Sequence, residues 1–212
     1  VSGLLISFEG VEGSGKTSQC RRLAAHLRAR GREVVETSEP DGTGLGLAIR
    51  ALFEREGPPP TPLAQAFLFA AARQQHVAEV VRPALQRGAV VVSDRYADAT
   101  VAYQGHAQGL DVQTIAELNA LATGGLLPDL TVLLDVDPAV GMARIGGRRL
   151  DAFERMTLDF HRRVREGYLE IARGDKRRVV VVDGTPAAEA VWTAVRRAVD
   201  DFLGRRESRG GR

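Results

Sequence analysis

The chain has 212 residues, a net charge of +2 and one cysteine, Cys20. That length suits a single domain, the 44% hydrophobic share supports a buried core, and a lone cysteine excludes an intramolecular disulfide. No block of like charge is long enough for a nucleic-acid-binding arm, and no apolar run approaches the ~18 residues of a membrane span; with no charged-then-apolar leader in view, a soluble cytoplasmic protein is expected.

Residues 4–8 (LLISF) form the first expected strand. It runs straight into Gly10-Val11-Glu12-Gly13-Ser14-Gly15-Lys16-Thr17, a complete G-x-x-x-x-G-K-[ST] phosphate-binding loop. Glycines in such a loop let backbone N–H groups turn inward around a polyphosphate, the lysine reaches its terminal oxygens, and the threonine hydroxyl suits Mg²⁺. A helix over 16–30 follows, with its positive end toward the same phosphates. Lys occurs only at 16 and 176, against 29 basic residues in all. A chain that otherwise uses Arg keeps a compact ammonium at the place where one fits between phosphates.

Further apolar runs lie at 33–36 (EVVE), 89–93 (AVVVS, followed by Asp94), 130–135 (LTVLLD) and 179–183 (VVVVD). The last three are continuous, as in strands buried on both faces. A five-stranded parallel sheet covered by helices on both faces, a three-layer α/β fold, is therefore expected. Helices are expected over 45–55, 61–86, 112–122, 153–171 and 187–203. The third follows the break at 57–60 (GPPP), with Thr61 as its cap, Pro62 at its first position and Pro83 bending its end. Its Ala-rich stretch 64–72 reads either as a partner surface or as a helix buried on several sides. One domain is expected over 1–204, with a short mobile lid at about 145–153 and a disordered tail at 205–212.

Ligands of open α/β sheets sit beyond the carboxyl ends of the strands. Asp94-Arg95-Tyr96 stands at one such end. The carboxylate suits Mg²⁺ and the guanidinium suits an acceptor phosphate. A phosphorylated acceptor is already anionic at pH 7, so no general base is required, and the site should be rich in Arg and poor in His. His26, His76, His106 and His161 are scattered without metal-ligand spacing, which marks each as core or surface.

The segments FEGVEGSGKTSQ (8–19), SEPDGT (38–43), FLFAAAR (67–73), DRYADATVAYQG (94–105), LPDLTVLLDVDP (127–138) and LDAFE (150–154) resemble bacterial thymidylate kinases in order and spacing. The resemblance implies the P-loop NTPase fold, transfer of a phosphoryl group from ATP to dTMP, Mg²⁺ as cofactor and a homodimer joined through the helix at 61–86. It implies that Gly10, Val11, Glu12, Gly13, Ser14, Gly15, Lys16, Thr17 and Ser18 bind ATP, and that Thr17 and Asp94 serve the metal. For dTMP it implies Arg95 and Arg50 on the 5′-phosphate, Phe69 on the thymine ring, Arg73 on the base edge and Tyr103 beneath the deoxyribose. Thr100 and Gln104 would line the base pocket, with Glu9 and Pro40 nearby. Lys16, Asp94 and Arg95 would be catalytic, together with Arg148 or Arg149 closing over the phosphates from the lid; Arg144 is a further candidate.

Three positions depart from the usual family pattern: Ser38 and Ala152 stand where Arg is common, and Asp41 where Gly is common. Asp41 adds negative charge near polyanions, which would help hold Mg²⁺ or weaken affinity. The alternatives are another P-loop nucleotide or deoxynucleoside kinase, and a non-catalytic nucleotide-binding regulator. The intact Asp94-Arg95 pair beside Lys16 argues against the second. No nucleic-acid or membrane partner is expected.

Overall fold

Five strands, β1 (Leu4–Glu9), β2 (Val34–Ser38), β3 (Val90–Asp94), β4 (Leu130–Asp135) and β5 (Val179–Asp183), pair in the order β2-β3-β1-β4-β5. Every pairing is parallel, with Leu5 opposite Val91, Phe8 opposite Asp94 and Glu9 opposite Leu133. These are features of a computed structural model that describes residues 3–55, 57–146 and 150–210. The helices are α1 (Lys16–Ala29), α2 (Gly44–Glu54), α3 (Pro62–His76), α4 (Arg82–Gln86), α5 (Ala97–Thr100), α6 (Val112–Thr123), α7 (Pro138–Arg144), α8 (Leu158–Gly174) and α9 (Ala188–Gly210).

Side chains alternate along β1, and the two faces do different work. Leu4, Ile6 and Phe8 pack with Cys20, Leu23 and Leu27 of α1 and with Val191, Val195 and Val199 of α9. Leu5 faces the other way, into a cluster with Val77, Val81, Val91 and Tyr96. On that same side Leu133 meets Phe160, Val164 and Tyr168 of α8. Each fully buried aliphatic side chain of this kind contributes about 1.5–3 kcal/mol. The three-layer arrangement expected from the continuous apolar runs is the one found. Cys20 lies inside the first cluster, and burial pushes its thiol pKa up.

Several boundaries differ from the sequence reading, each for a local reason. The expected helix over 61–86 is three pieces, because a π-helical segment, Val77–Val81, separates α3 from α4. Thr61 precedes α3 but makes no side-chain capping bond, whereas Pro83 sits in the first turn of α4, where a missing N–H is tolerated. A second π-helical segment, Val101–Ala107, prolongs α5. α8 begins at Leu158 instead of 153, since Thr157 caps it by accepting the Phe160 amide at 3.3 Å. Before it, Asp151 Oδ1 closes a turn by accepting the Phe153 and Glu154 amides at 2.8 and 2.9 Å. The last helix continues to Gly210, so 205–210, read as a disordered tail, is helical. Arg206 ties it down through a 2.6 Å contact to Asp129. No helix among the described residues is long and apolar enough to cross a membrane.

Candidate active site

The loop after β1 is built to turn amides inward. Gly15 takes a left-handed φ of 93° as it starts α1, and Gly13 has φ 68°. Gly13 also lies against Gly141 of α7: a Cβ on Gly13 would stand 2.0 Å from the Gly141 carbonyl oxygen, and one on Gly141 would stand 2.2 Å from that of Glu12. Only glycine fits at either place. Lys16 is buried, and its Nζ donates to the carbonyl oxygens of Gly10 and Val11, both at 2.9 Å, and to Ser14 Oγ at 3.4 Å. Burial, then the charge of Arg95, lowers its pKa, against the pull of Glu12, Asp94 and Glu9.

β3 delivers the next group. Thr17 Oγ1 donates to Asp94 Oδ2 at 2.5 Å, tying the first turn of α1 to the end of β3. Arg95 follows in a left-handed backbone conformation, φ 71°, which is costly for a residue with a side chain. Its own amide donates to the Phe8 carbonyl at 2.9 Å, and the next amide, of Tyr96, donates to Glu9 Oε1 at 2.7 Å. Those two bonds hold the turn. The Arg95 guanidinium then lies over the Tyr103 ring, 5.1 Å from its centroid, and donates to Glu12 Oε1 at 2.6 Å, Tyr103 Oη at 3.2 Å and Tyr168 Oη at 3.3 Å. Tyr103 Oη also donates to Glu12 Oε1, at 2.7 Å.

Two glutamates in this cluster are driven apart. Burial pushes the Glu12 carboxyl up, but Arg95 and Lys16 outweigh it and hold the group down at about 2. Burial, then the charge of Asp98, pushes Glu9 up to about 8, with Arg95, Tyr168 and Tyr96 opposing. Glu9 is wholly buried and takes a 2.8 Å bond from Tyr168 Oη. It is not among the residues lining the cleft, where the sequence reading set it beside dTMP; it stands behind Arg95 and fixes the surrounding backbone.

A single cleft of about 1170 Å³ runs from the loop residues 12–18 to Pro40, Arg50, Phe69, Arg73, Arg95, Thr100, Tyr103 and Gln104. That exceeds the ~300–1,000 Å³ of an ordinary single-ligand pocket. Phe69 stacks on Phe53, with centroids 4.9 Å apart and planes 12° apart, and Phe153 leans on both. One face of Phe69 is therefore already covered. Arg73 is buried and heavily engaged: Nε donates to Glu39 Oε2 at 2.8 Å, Nη1 to Asn119 Oδ1 at 2.7 Å and Thr100 Oγ1 at 3.1 Å, and Nη2 to the Tyr96 carbonyl at 3.2 Å. Among the described residues, four of its five N–H groups are engaged in this way. Gln104 Nε2 donates to Gln65 Oε1 at 3.1 Å. Arg50 donates to Asp41 Oδ2 at 2.5 Å and to Glu54 Oε1 at 2.9 Å.

The cleft thus gathers nearly all the residues singled out from the sequence. Gly10 and Val11 serve it from behind, through the carbonyls that hold Lys16. Arg148 and Arg149 lie outside the described residues. Arg144 lines the cleft, but its guanidinium is bonded to the carbonyls of Gly184 at 2.9 Å and Thr185 at 2.7 Å. Among the histidines, His76 and His161 are core: His76 bridges Thr37 and Glu39, and neither ring nitrogen of His161 is hydrogen-bonded among the described residues. Sequence reasoning missed Glu39, Phe53 and Tyr168. Glu39 was detectable as a carboxylate just past β2, but Phe53 and Tyr168 carry no local signal, since aromatics at helical spacing look like any core residue.

The sequence matches the thymidylate kinase family model over residues 8–195. A thymidylate kinase of Solidesulfovibrio magneticus is 48% identical over 205 residues, covering 91% of this chain and 98% of the other. One of Geobacter sulfurreducens is 49% identical over 201 residues, covering 91% and 94%. The crystal structure of thymidylate kinase from Ehrlichia chaffeensis superposes with a TM-score of 0.77 at 32% identity, over 94% of this chain and 99% of that one. With nearly the whole length matched in both sequence and fold, the chain belongs to the thymidylate kinase family.

Proposed function

We propose that this protein transfers the γ-phosphoryl group of ATP to dTMP, giving ADP and dTDP. The observation that carries the proposal is the continuity of the cleft: one cavity joins the phosphate loop to a pocket of Phe69, Arg73 and Arg95. The acceptor phosphate is itself the nucleophile, so the protein's task is to bring two polyanions into line and offset their charge. Lys16 exchanges its loop carbonyls for ATP oxygens. Arg95, and Arg50 across the cleft, take the dTMP phosphate, and the open face of Phe69 takes the thymine ring. Tyr103 closes the space beneath the sugar.

Thr17 Oγ1 and Asp94 Oδ2 are a hydroxyl and a carboxylate oxygen 2.5 Å apart at the mouth of the loop. Such hard oxygen donors fit Mg²⁺, which is commonly bound by one or two protein oxygens together with substrate phosphates. When bound, the ion neutralises phosphate charge and orients the donor. A cytoplasmic setting accords with substrates drawn from the nucleotide pool.

A homodimer through α3 belongs to the same proposal. Leu63, Phe67, Ala71 and Gln74 share one exposed face of the helix, while Ala66, Ala70 and Ala72 turn inward. Leu121 of the adjoining α6 is 80% exposed.

ADP release measured with dTMP, dUMP, dAMP, dGMP and thymidine as acceptors tests the assignment. dTMP should be turned over best, and Lys16→Ala should lower kcat by about 10²-fold or more without changing the circular dichroism spectrum. Equal or faster turnover of another acceptor would overturn it.

A further inference from the structure

Asp41 is a carboxylate in the acceptor half of the cleft that phosphoryl transfer leaves without a task. It follows β2 and lines the cavity beside Pro40, Arg50 and Phe53. α2 sits down closely on its loop: a Cβ on Gly46 would stand 1.7 Å from the Pro40 carbonyl oxygen, and Thr43 Oγ1 accepts the Gly46 amide at 3.1 Å. That seat brings Arg50 against Asp41, Nη1 to Oδ2 at 2.5 Å. One turn further on, Glu54 Oε1 accepts from Arg50 Nε at 2.9 Å. One guanidinium therefore faces two carboxylates. Glu54 alone can hold its orientation, so Asp41 is not needed for that. Asp41 Oδ1 is buried and accepts no hydrogen bond among the described residues. Its charge is paired through one oxygen only.

We propose that Asp41 sets the affinity for the acceptor according to acceptor charge: it occupies Arg50 in the empty cleft and repels the arriving phosphate, so a nucleoside monophosphate binds more weakly than the guanidinium alone would allow. The inference rests on the reading that Arg50 faces the dTMP phosphate. Like charges ~6 Å apart oppose each other by a factor of roughly 3 in water and far more in a protein cleft. Part of this is returned through the contacts Arg50 keeps, so a net change of about three- to tenfold is expected. The effect belongs to charge and must shrink as salt rises.

Asp41→Asn keeps the shape and removes the charge; Asp41→Ser repeats the test with a smaller side chain. Both should lower KM for dTMP by about three- to tenfold at low ionic strength, leave KM for ATP within about twofold, and lose most of the gain at about 0.5 M salt. Thymidine, which lacks the phosphate, should compete with dTMP with an unchanged inhibition constant. An unchanged or raised KM for dTMP in both variants would overturn the proposal. So would a thymidine constant that moves in step with KM, because Asp41 would then shape the pocket instead of weighing charge. Arg50→Ala separates the two levels. If it leaves KM for dTMP unaltered, the placement of the acceptor phosphate is wrong; if it raises KM tenfold while Asp41→Asn and Asp41→Ser do not lower it, only the role of Asp41 is wrong.

Discussion

Glu9 and Glu12 are three residues apart and respond to acid in opposite directions. Glu12 is held at about 2 against an ordinary 4.5, so it stabilises the fold above pH 4.5 and loses that contribution as pH falls toward 2. Glu9 is pushed up to about 8. Below pH 4.5 it is protonated whether the chain is folded or not, and costs nothing. Between pH 4.5 and 8 the unfolded chain ionises it while the folded chain keeps the proton, so stability declines across that window and levels off above it. Glu9→Gln mimics the protonated acid: its Oε1 still accepts the Tyr96 amide and its amide can meet Tyr168. Thermal unfolding should show the variant gaining on the wild type steadily from pH 5 to pH 8. A difference in Tm that stays constant over that range would show that Glu9 ionises normally in the fold.

The phosphate loop and α7 meet through Gly13 and Gly141, a contact with no space for a methyl group on either side. Gly141→Ala should push the loop away from its position, raising KM for ATP about tenfold and costing about 1–3 kcal/mol in urea unfolding, as overpacking does. KM for dTMP should change little, since the proposed acceptor pocket is built on β3, α2 and α3. The strands were legible because continuous valine and leucine runs have one comfortable place, a sheet covered on both sides. The loop was legible because its glycines, lysine and threonine answer to phosphate geometry at fixed spacing. The π-helical segments at 77–81 and 101–107 were not, because an extra residue in a helical turn has no propensity signature of its own. Nor was the start of α8. Phe153 has the right spacing for a helix, and the Asp151 turn and the Thr157 cap, both local side-chain-to-backbone bonds that apolar spacing does not register, delay it to Leu158. The engaged state of Arg73 and Arg50 was equally hidden, since Glu39, Asn119 and Asp41 approach them from other parts of the chain.

At the scale of the whole molecule, the proposed acceptor pocket and the exposed face of α3 are two sides of one helix. Phe69 and Arg73 turn inward to the cleft while Phe67, 57% exposed, turns outward. Phe67→Asp would set a charge in the proposed apolar contact between copies without touching the cleft. Sedimentation should then give a mass near 22.9 kDa, where the unaltered protein, if dimeric as proposed, should give about twice that value. An unaltered protein that already sediments as a single copy would remove the dimer. β1 carries a constraint of a different kind. Its six residues show the α1 and α9 layer and the Arg95 layer alternate side chains, and the phosphate loop begins where it ends. Losing or gaining one codon inside that strand would exchange its oily and working sides from that point on. Insertions and deletions should therefore be tolerated in surface turns such as the proline run at 58–60 and not in the opening strand.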